Sequence, residues 1–250
     1  MLILVRSIVF NVLFYLNTLV YLIIALPTFF MPYRAIIAVA RSWGRTNLKL
    51  LRVFAGIDYE IRGREKIPAG PLIVAAKHQS AWETFALLTL FDNPTFIMKR
   101  ELQWLPIFGW LTIKGRMVPI DRSRGSSALM EMTERARREL ADNRQLIIFP
   151  EGTRRPPGAE PRYKYGVAHL YVAEGVPCLP IALNSGLFWP RRSIRRFPGT
   201  IVVEVLDPIV PGLPRDEFFA RLQEAIEPAT ARLIAEAKGK SSSSGPMPSA

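Results

Sequence analysis

Between Arg6 and Arg34 the chain carries no charged side chain, and Ile8 to Leu26 is aliphatic or aromatic except for Asn11, Asn17 and Thr18. A helix of about 20 such residues matches the hydrocarbon thickness of a bilayer. A cleaved signal peptide would use a shorter apolar core, and Pro27 to Tyr33 offers no small-x-small cleavage pattern. The expectation is therefore a retained membrane helix. Just beyond it, Arg41, Arg45, Lys49 and Arg52 recur at intervals of four, four and three, which lines them along one helical face. Ile36, Ile37, Val39, Trp43, Leu50, Leu51 and Phe54 supply apolar surface around them. A basic amphipathic helix in this position is expected to lie on an anionic membrane surface. Positive residues on this side of the apolar run place the domain C-terminal to it on the cytoplasmic face of the inner (plasma) membrane.

From Tyr59 onward the pattern changes to short β-type runs alternating with helical ones. Strands are predicted at Leu72 to Ala76, Thr95 to Met98, Met117 to Ile120, Leu146 to Phe149, Pro177 to Leu183 and Thr200 to Leu206. Helices are predicted over Ala81 to Leu90, Ser126 to Leu140, Tyr163 to Glu174 and Asp216 to Ala237. Leu102 to Leu111 is an apolar segment bent by Pro106 and Gly109. Such alternation predicts an α/β fold, a mixed, largely parallel sheet flanked by helices, with ligand sites at the strand C-termini. The expected organisation is membrane-anchoring helices over 1–57, a catalytic domain over 58–237 and a disordered Ser/Gly/Pro-rich tail over 238–250.

Composition narrows the partners. The 250 residues are 49% hydrophobic, enough for one substantial core. Lys plus Arg total 33 against 21 Asp plus Glu, and the net charge of +12 favours acidic lipid or a phosphorylated substrate. No recognisable nucleic-acid module accompanies that charge, so nucleic acid is not expected. Cys178, the one cysteine, lies in an apolar stretch, where it reads as a core residue with no internal disulfide to form.

Two predicted strand ends carry the chemistry. Leu72 to Ala76 leads into His78-Gln79-Ser80-Ala81-Trp82-Glu83, an imidazole with a carboxylate five residues on. Leu146 to Phe149 leads into Pro150-Glu151-Gly152-Thr153-Arg154, an acid, a glycine turn and a guanidinium. Together they suit general-base activation of a hydroxyl, with Glu83 fixing the His78 tautomer and the arginine holding an anion. The same His-x4-Glu spacing occurs at His169 and Glu174, but there it falls within one continuous helix. Five residues of helix turn the side chains about 140° apart, so that pair is not expected to meet. Gly-x-Ser-x-Gly, Walker A and Gly-x-Gly-x-x-Gly are absent. No His/Cys ligand cluster points to a metal.

From about Tyr59 to Pro211 these elements, in this order, resemble the phospholipid-synthesis acyltransferases that acylate 1-acylglycerol-3-phosphate (lysophosphatidic acid). His78 matches that family's catalytic histidine, and Glu83 stands where the family usually has Asp. Gly115 to Arg122 looks like the second block, whose closing arginine, here Arg122, is implicated in holding the acceptor phosphate. Phe149 to Arg154 matches the third block, which implies acceptor binding by Glu151 and Arg154 around the Gly152 turn. Lys99 falls where bacterial members carry a basic residue near the site. Val176-Pro177-Cys178-Leu179-Pro180-Ile181 resembles the apolar fourth block, which implies acyl-chain contact by Val176, Pro177 and Pro180. The resemblance implies a lysophospholipid acceptor and acyl-CoA or acyl carrier protein as the co-substrate, without a bound cofactor. An acceptor such as lyso-ornithine lipid is the alternative.

Overall fold

The strand runs assemble into one seven-stranded sheet that reads, from edge to edge, Ile57–Arg62, Gly199–Val205, Cys178–Leu183, Leu72–Ala76, Gln145–Ile148, Pro94–Lys99 and Val118–Ile120. The computed structural model describes residues 1–241, without the side chains of Arg122, Lys240 and Ser241. The strands are β1 (Ile57–Arg62), β2 (Leu72–Ala76), β3 (Pro94–Lys99), β4 (Val118–Ile120), β5 (Gln145–Ile148), β6 (Cys178–Leu183) and β7 (Gly199–Val205). All pairings are parallel except β6 with β7. Strand β1 leaves little trace in the local pattern, because on this edge strand only Ile57 is buried and no alternation shows. In β2 the alternation is two-sided: Leu72, Val74 and Ala76 enter one core, Ile73 and Ala75 the other. That is why it reads as an unbroken apolar run.

Helices α5 (Gly125–Ala141), α6 (Gly166–Glu174) and α7 (Arg215–Ser241) cover one face. Helices α1 (Leu2–Ala25), α2 (Tyr33–Leu50), α3 (Trp82–Leu90) and α4 (Phe108–Lys114) make up the layer on the other. The expected tail is helical through Ser241, and 242–250 lie outside the described residues.

Helix α1, with the 3-10 turn Leu26–Phe30, is long and apolar enough to cross a membrane. It nevertheless lies along the domain. Its polar residues turn inward: Ser7 Oγ accepts from the Arg196 N–H at 2.8 Å, and Asn11 Nδ2 donates to the Ile194 carbonyl at 2.8 Å. Further on, Asn17 Nδ2 donates to Asn47 Oδ1 at 3.1 Å, and the Tyr21 hydroxyl meets Ser42 at 2.9 Å. Phe10 and Phe14 pack between these contacts against Trp189, while Leu16, Leu19, Ile23 and Ile24 face outward. The division expected at residue 57 is thus not a division in packing, since Phe10, Leu48 and Leu51 share one core with β2 and β6.

The amphipathic helix differs from expectation in what its apolar side touches. Ile36, Ile37 and Leu48 of α2 are buried within the protein, and a Cβ at Gly44 would stand 2.8 Å from the Phe85 carbonyl of α3. Arg41 leans on Asp92, and Arg52 on Asp58 at 3.2 Å. Arg45 and Lys49 remain exposed. Any membrane contact of α2 is therefore made by its basic residues, not by its apolar face.

Candidate active site

The parallel run β2, β5, β3, β4 places four chain segments at one sheet edge: His78 after β2, Phe149 to Arg154 after β5, Lys99 at the end of β3, and Asp121 to Arg122 after β4. This is the C-terminal edge, where an open α/β sheet leaves a crevice for ligands.

His78 is held from several sides. Its Nδ1 lies 2.9 Å from Glu83 Oε1, and its ring stacks on Phe149 with centroids 3.9 Å apart. Glu83 is wholly buried, and its carboxylate is fully engaged. Oε1 also accepts from the N–H groups of Gln79 and Ser80 at 2.7 Å each, and Oε2 accepts from the Ser185 hydroxyl at 2.8 Å. Ser80 Oγ in turn accepts from the Trp82 N–H, so the turn leading into α3 is tied both by Ser80 and by Glu83. The longer glutamate thus reaches the ring despite standing in the family's aspartate position. With Nδ1–H donated to Glu83, the other ring nitrogen is the basic one.

The third block grips the histidine's own backbone. Glu151 Oε2 accepts from the His78 N–H at 3.3 Å, and the Arg155 N–H donates to the His78 carbonyl at 2.8 Å. Gly152, at φ 66°, takes the left-handed conformation that closes the turn onto the Phe149 carbonyl. Glu151 itself is buried, and its Oε1 accepts from Lys77 Nζ at 3.0 Å. Lys77 also donates to both oxygens of Glu227 on α7, at 2.8 and 3.0 Å, and Tyr163 donates to Glu227 at 2.7 Å. Burial pushes the Glu151 carboxyl above its usual range, with the Lys77 ammonium opposing.

Arg154 is half-buried and Lys99 exposed; among the described residues neither cation has a hydrogen-bond or ion-pair partner. In a chain where most arginines near the core are paired, two free cations at one edge suit a bound anion. Arg122 opens the 3-10 turn Arg122–Arg124 after β4, and its side chain lies outside the described residues.

The apolar block is placed elsewhere. Cys178 pairs with Ile73 and Ile181 with Ala76, so Val176 and Pro177 precede the opposite end of the sheet. Pro177 is four residues before the level of Ala76, roughly 13 Å from the edge that carries His78 at about 3.3 Å per residue. Pro180 is buried and pairs with Ala75 in an interior strand. It is the far end of this strand, at Ser185, that touches the site. His169 and Glu174 do not pair: Glu174 faces Arg137 of α5 at 3.4 Å. Lys77, Ser185 and Glu227 also build the site, although no spacing or motif in the sequence marks them, and Gln79, within the His78 to Glu83 run, joins it by accepting from the Gly186 N–H. For Ser185 no local signal exists, since 102 residues separate it from Glu83.

A model of the Acyltransferase family matches residues 58–184. The chain is 41% identical over 176 residues to the 1-acyl-sn-glycerol-3-phosphate acyltransferase of Pseudomonas aeruginosa, covering 70% of this chain and 68% of that one. It is 32% identical to the mouse (Mus musculus) 1-acyl-sn-glycerol-3-phosphate acyltransferase alpha, covering 72% of this chain and 68% of the relative. The fold matches the crystal structure of the 1-acyl-sn-glycerophosphate (LPA) acyltransferase PlsC of Thermotoga maritima. The TM-score is 0.76 at 23% identity, over 92% of this chain and 98% of that one. With that match over half its length, and with relatives of this name across most of it, the chain belongs to the acyltransferase family.

Proposed function

We propose that this chain moves a fatty acyl group from an acyl thioester to the free sn-2 hydroxyl of lysophosphatidic acid, giving phosphatidic acid. The observation that carries the reading is the His78–Glu83 pair, 2.9 Å apart, at the same sheet edge as the free cations of Lys99 and Arg154. His78 takes the hydroxyl proton on its second ring nitrogen as the oxygen attacks the thioester carbonyl. A C–O bond forms, the C–S bond breaks, and the departing thiolate recovers the proton from His78. Glu83 offsets the imidazolium charge in between. Lys99 and Arg154, with Arg122 following β4, hold the acceptor phosphate. Glu151 acts through His78 and does not touch the acceptor, because its carboxylate is enclosed by Lys77 and the His78 N–H. The placement of Val176, Pro177 and Pro180 supports a part in the sheet core and not in acyl-chain contact.

The inward polar and outward aliphatic sides of α1 support a helix that lies in one leaflet beside the domain. Its side of the membrane is read as the cytoplasmic face of the inner membrane, with Arg45 and Lys49 toward acidic headgroups. The donor is acyl-CoA or acyl carrier protein. The test is incubation of the purified full chain with lysophosphatidic acid, other lysophospholipids and lyso-ornithine lipid, each with both donors, and mass spectrometry of the products. Phosphatidic acid should dominate and should vanish in His78→Ala. Preferential acylation of lyso-ornithine lipid would overturn the acceptor assignment.

A further inference from the structure

Residues 100–114 take no part in the acyl-transfer chemistry, yet they form an unusual surface. After β3 the chain makes a 3-10 turn, Arg100–Trp104, then folds back into the short α4. Leu102, Trp104, Leu105, Phe108, Trp110 and Ile113 are all exposed there, Trp104 by 72%, Trp110 by 54% and Ile113 by 56%. Singly exposed apolar residues are ordinary; six large ones within twelve positions make a patch that requires a partner.

The backbone is strained into presenting it. Ile107 has φ 62° and ψ −60°, a positive-φ γ-turn that a β-branched residue rarely adopts, with the Phe108 N–H donating to the Pro106 carbonyl at 2.6 Å. A Cβ at Gly109 would stand 2.1 Å from the Gln103 carbonyl, so only glycine lets α4 fold this tightly against the preceding turn. That tight reversal sets the 3-10 turn that carries Trp104 against α4, which carries Phe108 and Trp110. Strain of this kind persists where the presented surface is used.

The other side of the segment shows where the surface leads. Ile107 and Leu111 pack on Leu22, Ala25 and Phe29, and Lys114 Nζ donates to the Phe29 carbonyl at 3.1 Å. The patch therefore adjoins the outward face of α1, beyond whose end Leu26, Phe30 and Met31 are also exposed. Lys99, Arg100 and Lys114 flank it, against one acid, Glu101. Two exposed tryptophans, aliphatic neighbours and a cationic margin are the make-up of a surface seated at the headgroup level of a bilayer.

We infer that the Trp104–Trp110 ridge is a second membrane contact, sunk in the lipid interface beside α1. It lies between the end of α1 and the cations of the site. Arg100 reaches Asp121 at 3.4 Å, next to Arg122, and Lys99 is the residue before the turn. The ridge thereby seats the phosphate-binding edge on the bilayer. The inference rests on the membrane seat proposed for α1. It is read by lipid binding alone, so failure of the acyl-transfer reading would show separately.

Vesicles of phosphatidylcholine and phosphatidylglycerol carrying bromine on their acyl chains provide the probe. Of the five tryptophans, Trp82 and Trp189 are buried and Trp43 is half-buried, so quenching should come from Trp104 and Trp110. It should disappear largely in Trp104→Phe/Trp110→Phe. Trp104→Ser/Trp110→Ser should lower partition into the same vesicles by about ten- to a hundred-fold, the loss expected when two large apolar side chains no longer leave water. Its circular dichroism should be unchanged. Undiminished quenching in the Phe pair overturns the inference. So does unchanged partition of the Ser pair under conditions where Leu16→Lys/Leu19→Lys on α1 releases the chain. Conversion of a dimer to a monomer by the Ser pair, with partition unchanged, would assign the ridge to a second copy of the chain and equally overturn it.

Discussion

Glu83 receives four hydrogen bonds, three of them on the oxygen that faces His78. A glutamine that still accepts from the two backbone N–H groups turns its NH₂ to the Ser185 hydroxyl, one that turns its NH₂ to the His78 ring forfeits both, and in either case the charge is gone. Glu83→Gln should lower kcat by about two to four orders of magnitude, as in comparable general-base and triad disruptions. Glu83→Asp keeps the charge, loses reach and should retain measurable turnover. Steady-state kinetics with circular dichroism check both; a folded Gln variant with near-normal kcat would make Glu83 a structural residue. Glu151 poses a separate question, because the family resemblance implies acceptor binding while its carboxylate bonds Lys77 and the His78 N–H. Glu151→Gln must turn an NH₂ toward one of two donors, which displaces His78. The expected outcome is a fall in kcat with KM for the lysolipid nearly unchanged. A rise in that KM at constant kcat would restore the acceptor role.

At the scale of elements, Lys77 ties β2 to both the loop after β5 and α7. Lys77, two carboxyl groups and Tyr163 meet there largely out of water, so the cluster depends on the Lys77 amine that bridges it. Lys77→Met leaves two carboxylates facing one another. Breaking a buried pair in this way costs about 3 kcal/mol, at the low end because Glu227 is 24% exposed on its side chain. Glu227→Gln, which retains hydrogen bonding and leaves Lys77 with Glu151 alone, should cost less. Denaturant titration of the two variants gives the comparison, and equal losses would mean that the charge balance is not what holds α7 in place.

At the scale of the molecule, α1 has an exposed apolar face and an inner face that covers the core. Removing residues 1–33 takes away Phe10, which is fully buried, and uncovers Trp189 and Phe85. The truncated chain should therefore aggregate or melt at a much lower temperature. Leu16→Lys/Leu19→Lys alters only the outward face and should keep the fold. Each change forfeits apolar burial of about 1.5–3 kcal/mol, or roughly ten-fold or more in vesicle partition. Flotation and thermal melts of the two forms distinguish the roles. A well-folded truncation would show that α1 is an appendage.

What was legible in the chain was what local pattern encodes. The unbroken apolar run of β2 reports burial on both faces, and His78 at its end needs only the strand-to-helix turn to meet Glu83 five residues later. The Phe149 to Gly152 turn and the helix-internal separation of His169 from Glu174 are likewise local, and both were readable. Strand order is not local, and it decided the rest. Placing β6 beside β2 and antiparallel to β7 brings Ser185 to Glu83 and sends Val176 and Pro177 to the opposite edge. Placing β5 beside β2 turns Glu151 from a free carboxylate in a motif into the acceptor of the His78 N–H. Hydropathy likewise marks α1 as a helix fit for lipid, but its dispersed amides and hydroxyl gain meaning only from partners far along the chain, at Asn47, Ile194 and Trp43. A sequence specifies which side chains are apolar or charged and at what period. Which of them face each other is set by the packing of the whole sheet.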